Sequence, residues 1–250
     1  ADIIQRGELG KIQSVTVGLP GSPSHGPQPI LPVPPGFDYD MWLGQAPWAP
    51  YTPARCHGAF RFTFDYSGGS ICDWGAHHLD IAQWCLNKDY TGPVEIEGKG
   101  EFPTEGVWNT ALKYQVEYVY ADGVKMIAGT EGLPFGAKFF GEDDRWLHVN
   151  RSELNTNPDS LRRSSLPADD MRQIWVSGDH HGNFLRCVRS REQTIVPMEI
   201  GHRSISLAHL GNISMLLGRR LNWDPDNERF IGDEKANRML SRSMRAPWHL

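Results

Sequence analysis

The middle of the chain alternates apolar and polar residues with the period of a strand that is buried on one face only. Val94–Glu101, Ala111–Tyr120, Val124–Thr130, Ala137–Phe140 and Trp146–Val149 all follow this pattern, separated by turn signals such as Ala121-Asp122-Gly123. Lys11–Val17 alternates in the same way nearer the start. So do Phe60, Phe62, Phe64 and Tyr66, interleaved with Arg61, Thr63 and Asp65, which predicts a half-buried strand there. A 3.6-residue period replaces the alternation in three longer stretches, predicting helices over Asp73–Leu86, Gly182–Ser190 and Glu199–Leu217, the last closed by Gly218. Shorter helices are expected at Ile3–Leu9, closed by Gly10, and over Asp233–Ser241.

Between these elements, residues 18–58 read as one long loop region. Gly18–Gly36 is rich in Pro, Gly and Ser, and proline removes backbone donors there. Residues 151–170 are polar and read as loop. Strands clustered in the middle, with helices before and after, imply an α+β fold over residues 1–250. The expected architecture is an open, mostly antiparallel or mixed sheet with helices packed on one face. No internal repeat is apparent.

Composition narrows the function classes. The chain has 250 residues, 39% of them apolar, and a formal charge of −5, values of an ordinary globular domain. No basic block offers the stripe that neutralises phosphates, so a nucleic-acid partner is not expected. No apolar run approaches the ~20 residues that cross a bilayer, so neither is a membrane. The four cysteines Cys56, Cys72, Cys85 and Cys187 have no C-x-x-C spacing and read as reduced core thiols. Nine tryptophans make sugar-stacking surfaces worth considering. Nothing in the sequence assigns a compartment.

The candidate chemistry lies in Gly68-Gly69-Ser70-Ile71-Cys72-Asp73-Trp74-Gly75-Ala76-His77-His78-Leu79-Asp80. On one continuous helix, Asp73, His77 and Asp80 would share a face. Asp73 would stand near the N-cap, where helix dipoles favour a carboxylate. An ionised Asp73 beside His77 would fix its tautomer and leave it suited to proton transfer. Gly68, Gly69 and Gly75 would leave space for a ligand. The same residues also fit a plain helix cap, a satisfied histidine and a solvated face. Asp73 and His77 with His57 or His181 could be read as metal ligands, but no second ligand pair supports this, and no metal is expected.

Trp42, in an aromatic segment that also holds Trp48 and Tyr51, fits either a lid over a sugar or satellite packing. Arg55 and His57 follow and could line the same cavity. His180 and His181 open a helix and could reach the same pocket, although Asp179 there also fits an N-cap. Glu199, His202 and Arg203 read as an ion-pair cluster. The sequence has no G-x-G-x-x-G after a strand, no phosphate-binding P-loop and no G-x-S-x-G elbow.

At these residues the chain resembles the C-terminal, substrate-side domain of the Gfo/Idh/MocA oxidoreductases, and most closely their Bacteroidetes- and Planctomycetes-type subgroup. The glycine pair followed by Asp73-x-x-x-His77 is the specific element. Arg6–Ile12, Trp42–Trp48, Asn183–Ser190, Gly201–Ser204 and Leu221–Pro225 support it. The resemblance implies a sugar or polyol substrate, with His77 as proton acceptor and donor and Asp73 as its partner or a substrate ligand. Trp42, Arg55, His57, His78, His180 and His181 would line the substrate site. It also implies NAD(P) as cofactor, held by a preceding Rossmann domain of which residues 1–10 would be the tail and which this sequence is read as lacking. It further implies a homo-oligomer formed through the open sheet face. Two alternatives stand beside this reading. One is a redox-assisted glycoside hydrolase or lyase of the same family; the other is a non-catalytic carbohydrate-binding or oligomerising module.

Overall fold

The computed structural model describes residues 1–163 and 178–248. Nine strands form a sheet in the spatial order β7-β6-β5-β1-β4-β3-β2-β8-β9. They are β1 (Ser14–Gly18), β2 (Glu95–Glu101), β3 (Lys113–Val119), β4 (Lys125–Gly129), β5 (Gly136–Phe140), β6 (Trp146–Val149), β7 (Leu154–Asn157), β8 (Leu221–Asp224) and β9 (Arg229–Phe230). Only β1 and β4 pair in parallel; every other neighbouring pair is antiparallel. The mixed, mostly antiparallel sheet is therefore as the sequence implies.

Alternation along each strand decides which face is covered. Val15, Val17, Ile96, Val116, Tyr118, Met126, Ala128, Ala137 and Phe139 all point inward and are fully buried. Above them lie α3 (Ser70–Asp73), α4 (Gly75–Cys85) and α6 (Met198–Leu217), which contribute Ile71, Leu79, Ala82, Leu207 and Ala208 to the same core. The opposite face carries Glu95, Glu97, Glu117, Lys125 and Lys138, with half-buried Ile127, Phe140 and Trp146 among them.

The helices come close to the sheet at glycines. A Cβ on Gly98 would stand 2.7 Å from Met215 Cγ and 3.1 Å from the Gly211 carbonyl; one on Gly211 would stand 2.7 Å from the Tyr118 hydroxyl. Gly98 N–H donates to Ser214 Oγ (2.8 Å) at the point where β2 has no strand partner on that side. Tyr118 Oη donates to the Leu207 carbonyl (2.9 Å), so a buried phenol ties β3 to α6. Between α4 and α6, Ser204 Oγ donates to Asp80 Oδ1 (2.6 Å).

Three expectations are corrected. The Phe60–Tyr66 strand does not form. His57–Phe62 is a 3-10 helix, and turns continue it, with Tyr66 N–H donating to the Thr63 carbonyl. Its aromatic rings leave in different directions, Phe62 onto Trp108, Phe64 near Phe102 and Tyr66 onto Trp42. Its backbone bonds go to Asn109 rather than to a sheet edge. In the opposite direction, residues 151–163 are not all loop. They include β7 and a 3-10 turn, Asp159–Arg163. Only Thr156 of β7 is buried, so that strand has no apolar alternation to announce it. The rest of the expected 151–170 loop, residues 164–170, lies outside the described residues.

The third correction concerns residues 18–58, which are partly ordered by their own small core. Asp38 Oδ1 accepts from Met41 N–H (3.0 Å) and caps α2 (Tyr39–Leu43). Tyr39, Leu43 and Cys56 are buried there against Phe37, Trp42, Tyr51 and Tyr66. After Gly18, which ends β1, the stretch to Gly36 carries no regular element, as the proline content predicts.

The Gly98 contact yields a prediction. Gly98→Ala pushes a methyl group into Met215 and the α6 backbone, where overpacking costs about 1–3 kcal/mol. The urea unfolding midpoint should fall accordingly with an unchanged slope. A midpoint equal to wild type would show that α6 does not need this close approach.

Candidate functional site

The helix expected over Asp73–Leu86 is divided at Trp74, with α3 ending at Asp73 and α4 starting at Gly75. Asp73 is therefore the last residue of one helix, not the N-cap of the next. Its Oδ2 accepts from Arg61 Nη1 at 2.8 Å, and Arg61 Nε donates to the Gly58 carbonyl. Among the described residues no hydrogen bond joins Asp73 to His77. The expected carboxylate–imidazole pair is thus replaced by a half-exposed carboxylate–guanidinium pair, because the break and the 3-10 segment bring Arg61 within reach first.

His77 lies in the first turn of α4 and is exposed, with its ring 5.9 Å from that of Trp74 and no side-chain hydrogen bond among the described residues. His78, expected among the substrate ligands, is 0% exposed. Its Nδ1–H donates to the Gly18 carbonyl at the end of β1 (3.4 Å), and its ring packs on Phe135 (4.5 Å) and Trp74 (5.8 Å). Nε2 is buried without a partner. Burial depresses its proton affinity below the usual histidine range, and the nearby His77, Arg151 and His148 act in the same direction. His78 is a neutral packing residue, closed off from any ligand that stays at the surface.

The other expected residues disperse. Trp42 packs against the small core, on Tyr39 (5.9 Å) and Tyr66 (5.0 Å). Trp48 remains 68% exposed. Arg55 Nη1 donates to Tyr66 Oη (3.2 Å), and exposed His57 stands 5.8 Å from the Phe37 ring. His180 and His181 are exposed at the start of α5 (His180–Ser190), 5.7 Å apart. Asp179 Oδ1 accepts from Gly182 N–H there as an N-cap (2.8 Å). Arg203 pairs with both Glu199 and Glu228, and Glu228 is hydrogen-bonded to His202 Nε2 (2.6 Å). Gly68 and Gly69 leave no space for a ligand. A Cβ at Gly68 would strike Cys72 and Asn212, and one at Gly69 would strike Thr110, so they serve close packing. Among the described residues no three His, Cys, Asp or Glu side chains are grouped to hold a metal.

Asp73 lines a cavity of about 920 Å³ between the 57–67 segment, the outer side of α6 and residues 238–242; His77 lies outside it. Its floor holds Cys72 and His209, Sγ to Nδ1 3.8 Å, with Asn212 donating to Cys72 Sγ (3.6 Å) and the Gly68 carbonyl (2.9 Å). Burial pushes the Cys72 thiol up to about 12 and lowers the proton affinity of His209. The pair is thus a thiol beside a neutral imidazole, not a thiolate–imidazolium nucleophile. Sequence reasoning missed His209 and Asn212, whose one available signal was their spacing with Ile205 and Leu216 on one side of α6.

Residues 25–250 match the family model described as oxidoreductase family, C-terminal alpha/beta domain. The chain belongs to this Gfo/Idh/MocA oxidoreductase family. Among solved structures, the chain is similar to the WlbA dehydrogenase of Bordetella pertussis in complex with NADH and UDP-GlcNAcA. The two are 16% identical with a TM-score of 0.55, over 89% of this chain and 59% of that one. It is likewise similar to the aldose-aldose oxidoreductase of Caulobacter crescentus complexed with glycerol (12% identity, TM-score 0.52, 88% and 58%). An NAD-binding protein of Listeria innocua matches at 13% identity and TM-score 0.51, over 88% and 58%. At these identities the likeness shows the fold alone. The chain spans about three-fifths of the length of these structures. No curated protein sequence matches it.

His78 and His209 set a pH dependence. In the folded domain both hold protons less tightly than the unfolded chain, which takes up a proton near pH 6.5. The unfolded state therefore binds more protons below that value, and stability falls as pH drops through it. The double variant H78Q/H209Q should lose less stability between pH 7.5 and 5.5 than wild type in urea titrations; an equal loss would place the titrating groups elsewhere.

Proposed function

We propose that this domain presents a sugar or polyol hydroxyl to His77 for NAD(P)-linked oxidation or the reverse reduction. The observation that carries this reading is the state of His77: an exposed imidazole, free of hydrogen bonds among the described residues, beside the Trp74 ring. An imidazole without a protein partner keeps a nitrogen for the substrate hydroxyl and accepts its proton as the carbinol carbon is oxidised. With its second oxygen free of any hydrogen bond among the described residues, Asp73 is a substrate ligand in this reading rather than the partner of His77.

NAD(P), when bound, supplies the hydride acceptor. The described residues do not fit its pyrophosphate, because β1 runs into the proline-rich 18–36 stretch instead of a glycine-rich turn that opens a helix. Residues outside those described must hold the dinucleotide, and this chain contributes the substrate side.

In the NAD(P)-linked enzyme that contains this domain, His77→Ala should lower kcat/KM for sugar oxidation by roughly 10²–10⁴, the scale of lost acid–base catalysis. An unchanged rate discards the reading.

We also propose that the open sheet face pairs with a second copy of the chain. Its β2–β3 side carries Glu95, Glu97, Glu101 and Glu117 against Lys99, Lys113 and Arg220, a small acidic excess that a twofold rotation about the strand direction sets against Lys125 and Lys138. Sedimentation should show a dimer that Lys125→Glu with Lys138→Glu converts to monomer. A monomer in the wild type, or a dimer that survives both changes, would count against this interface.

A further inference from the structure

The cavity beside Asp73 has the size of a small-molecule site, about 920 Å³. The ion pairs that line it are unevenly matched. Asp73 is taken by Arg61 at 2.8 Å, and Glu228 by His202 (2.6 Å) and Arg203 (3.3 Å). Arg238 and Arg242 line the same cavity and have no carboxylate partner among the described residues; Arg242 donates to the Ser67 carbonyl (3.1 Å). In a chain of net charge −5, two guanidiniums without carboxylates on one concave wall make a local cationic field. The wall opposite mixes Cys72, His209 and Asn212 with the apolar Ile205, Leu210 and Ile213. The Asn212 side chain is 3% exposed, its amide nitrogen is occupied, and Oδ1 has no partner. His209 beside it is neutral, so the floor adds no charge.

A neutral sugar would leave both guanidiniums unused. We infer that this cavity takes the anionic end of a carboxylated or phosphorylated sugar, with the anion on Arg238 and Arg242. Arginine is suited to this task because its planar fork pairs with carboxylate or phosphate oxygens two at a time. Asp73, on the same cavity, is the link to the reacting end. That this ligand is also the substrate rests on the proposed role of His77, whereas its binding does not.

Calorimetric titration of the 250-residue chain with glucuronate, glucose 6-phosphate and glucose at low salt tests the assignment. At least one of the two anions should bind about tenfold or more tightly than glucose. R238Q/R242Q should remove that preference while leaving glucose binding unchanged, and R238K/R242K should restore part of it. Preference for glucuronate alone assigns a carboxylate, and for glucose 6-phosphate alone a phosphate; either supports the inference. Equal binding of all three sugars, no binding by any, or a preference that survives R238Q/R242Q overturns it. His77→Ala separates the two readings. It should leave the anion preference intact, so a variant that keeps both preference and turnover sinks the catalytic role and not the cavity.

Discussion

The close crossing of α6 over β2 and β3 sets the position of everything else. Two facing glycines, Gly98 and Gly211, let the helix backbone approach the sheet to a distance that any side chain would prevent. At that crossing the Gly98 N–H is answered by Ser214 and the Leu207 carbonyl by Tyr118. With α6 held there, α4 packs beside it through Gly75, Ala208 and the Ser204–Asp80 bond. The first turn of α4 is then anchored at the end of β1 by His78 and the Gly18 carbonyl, which leaves its neighbour His77 facing solvent. The outer side of α6, left without a sheet to cover, becomes one wall of the cavity that Asp73 enters.

Two adjacent histidines thus have opposite environments because a helix turns by about 100° per residue. Burial keeps His78 neutral and makes it part of the packing between Trp74 and Phe135. Exposure leaves His77 available. The break at Trp74 separates a second pair in the same way. Asp73 closes α3 and goes to Arg61 in the cavity, while His77 opens α4 outside it. The proton-transfer group and the ion-paired carboxylate are thus held by different helices, each fixed by its own contacts.

Charge is distributed with similar economy. On the open sheet face, Glu95 and Glu97 are bound by Arg220, which eases the direct opposition of Glu97 and Glu117 across β2 and β3. On the cavity side the carboxylates have cationic partners and two arginines do not, so the surplus positive charge collects where the wall is concave. The overall acidity of the chain conceals this local reversal.

Much of the fold was legible before any coordinate. Strands β2 to β6 and helix α6 start and end within two residues of where alternation and helical period put them, because a half-buried sheet and a core helix must repeat their apolar positions. Where that rule loses its grip, reading failed. β7 buries a single threonine and was invisible. The aromatic alternation at Phe60–Tyr66 looked like a strand, yet its rings pack on three different partners and its backbone closes on itself. The motif holding Asp73 and His77 was found from residue type and spacing alone, but its internal geometry was not. By itself the sequence determined strands β1 to β6 and the long covering helices, since local periodicity is set by the pitch of the backbone. Only the tertiary structure decided that Asp73 meets Arg61, that His78 is enclosed while His77 is free, and that Cys72, His209 and Asn212 share one floor. Such partnerships depend on which distant groups packing brings within a few ångströms, and spacing along the chain carries no record of that.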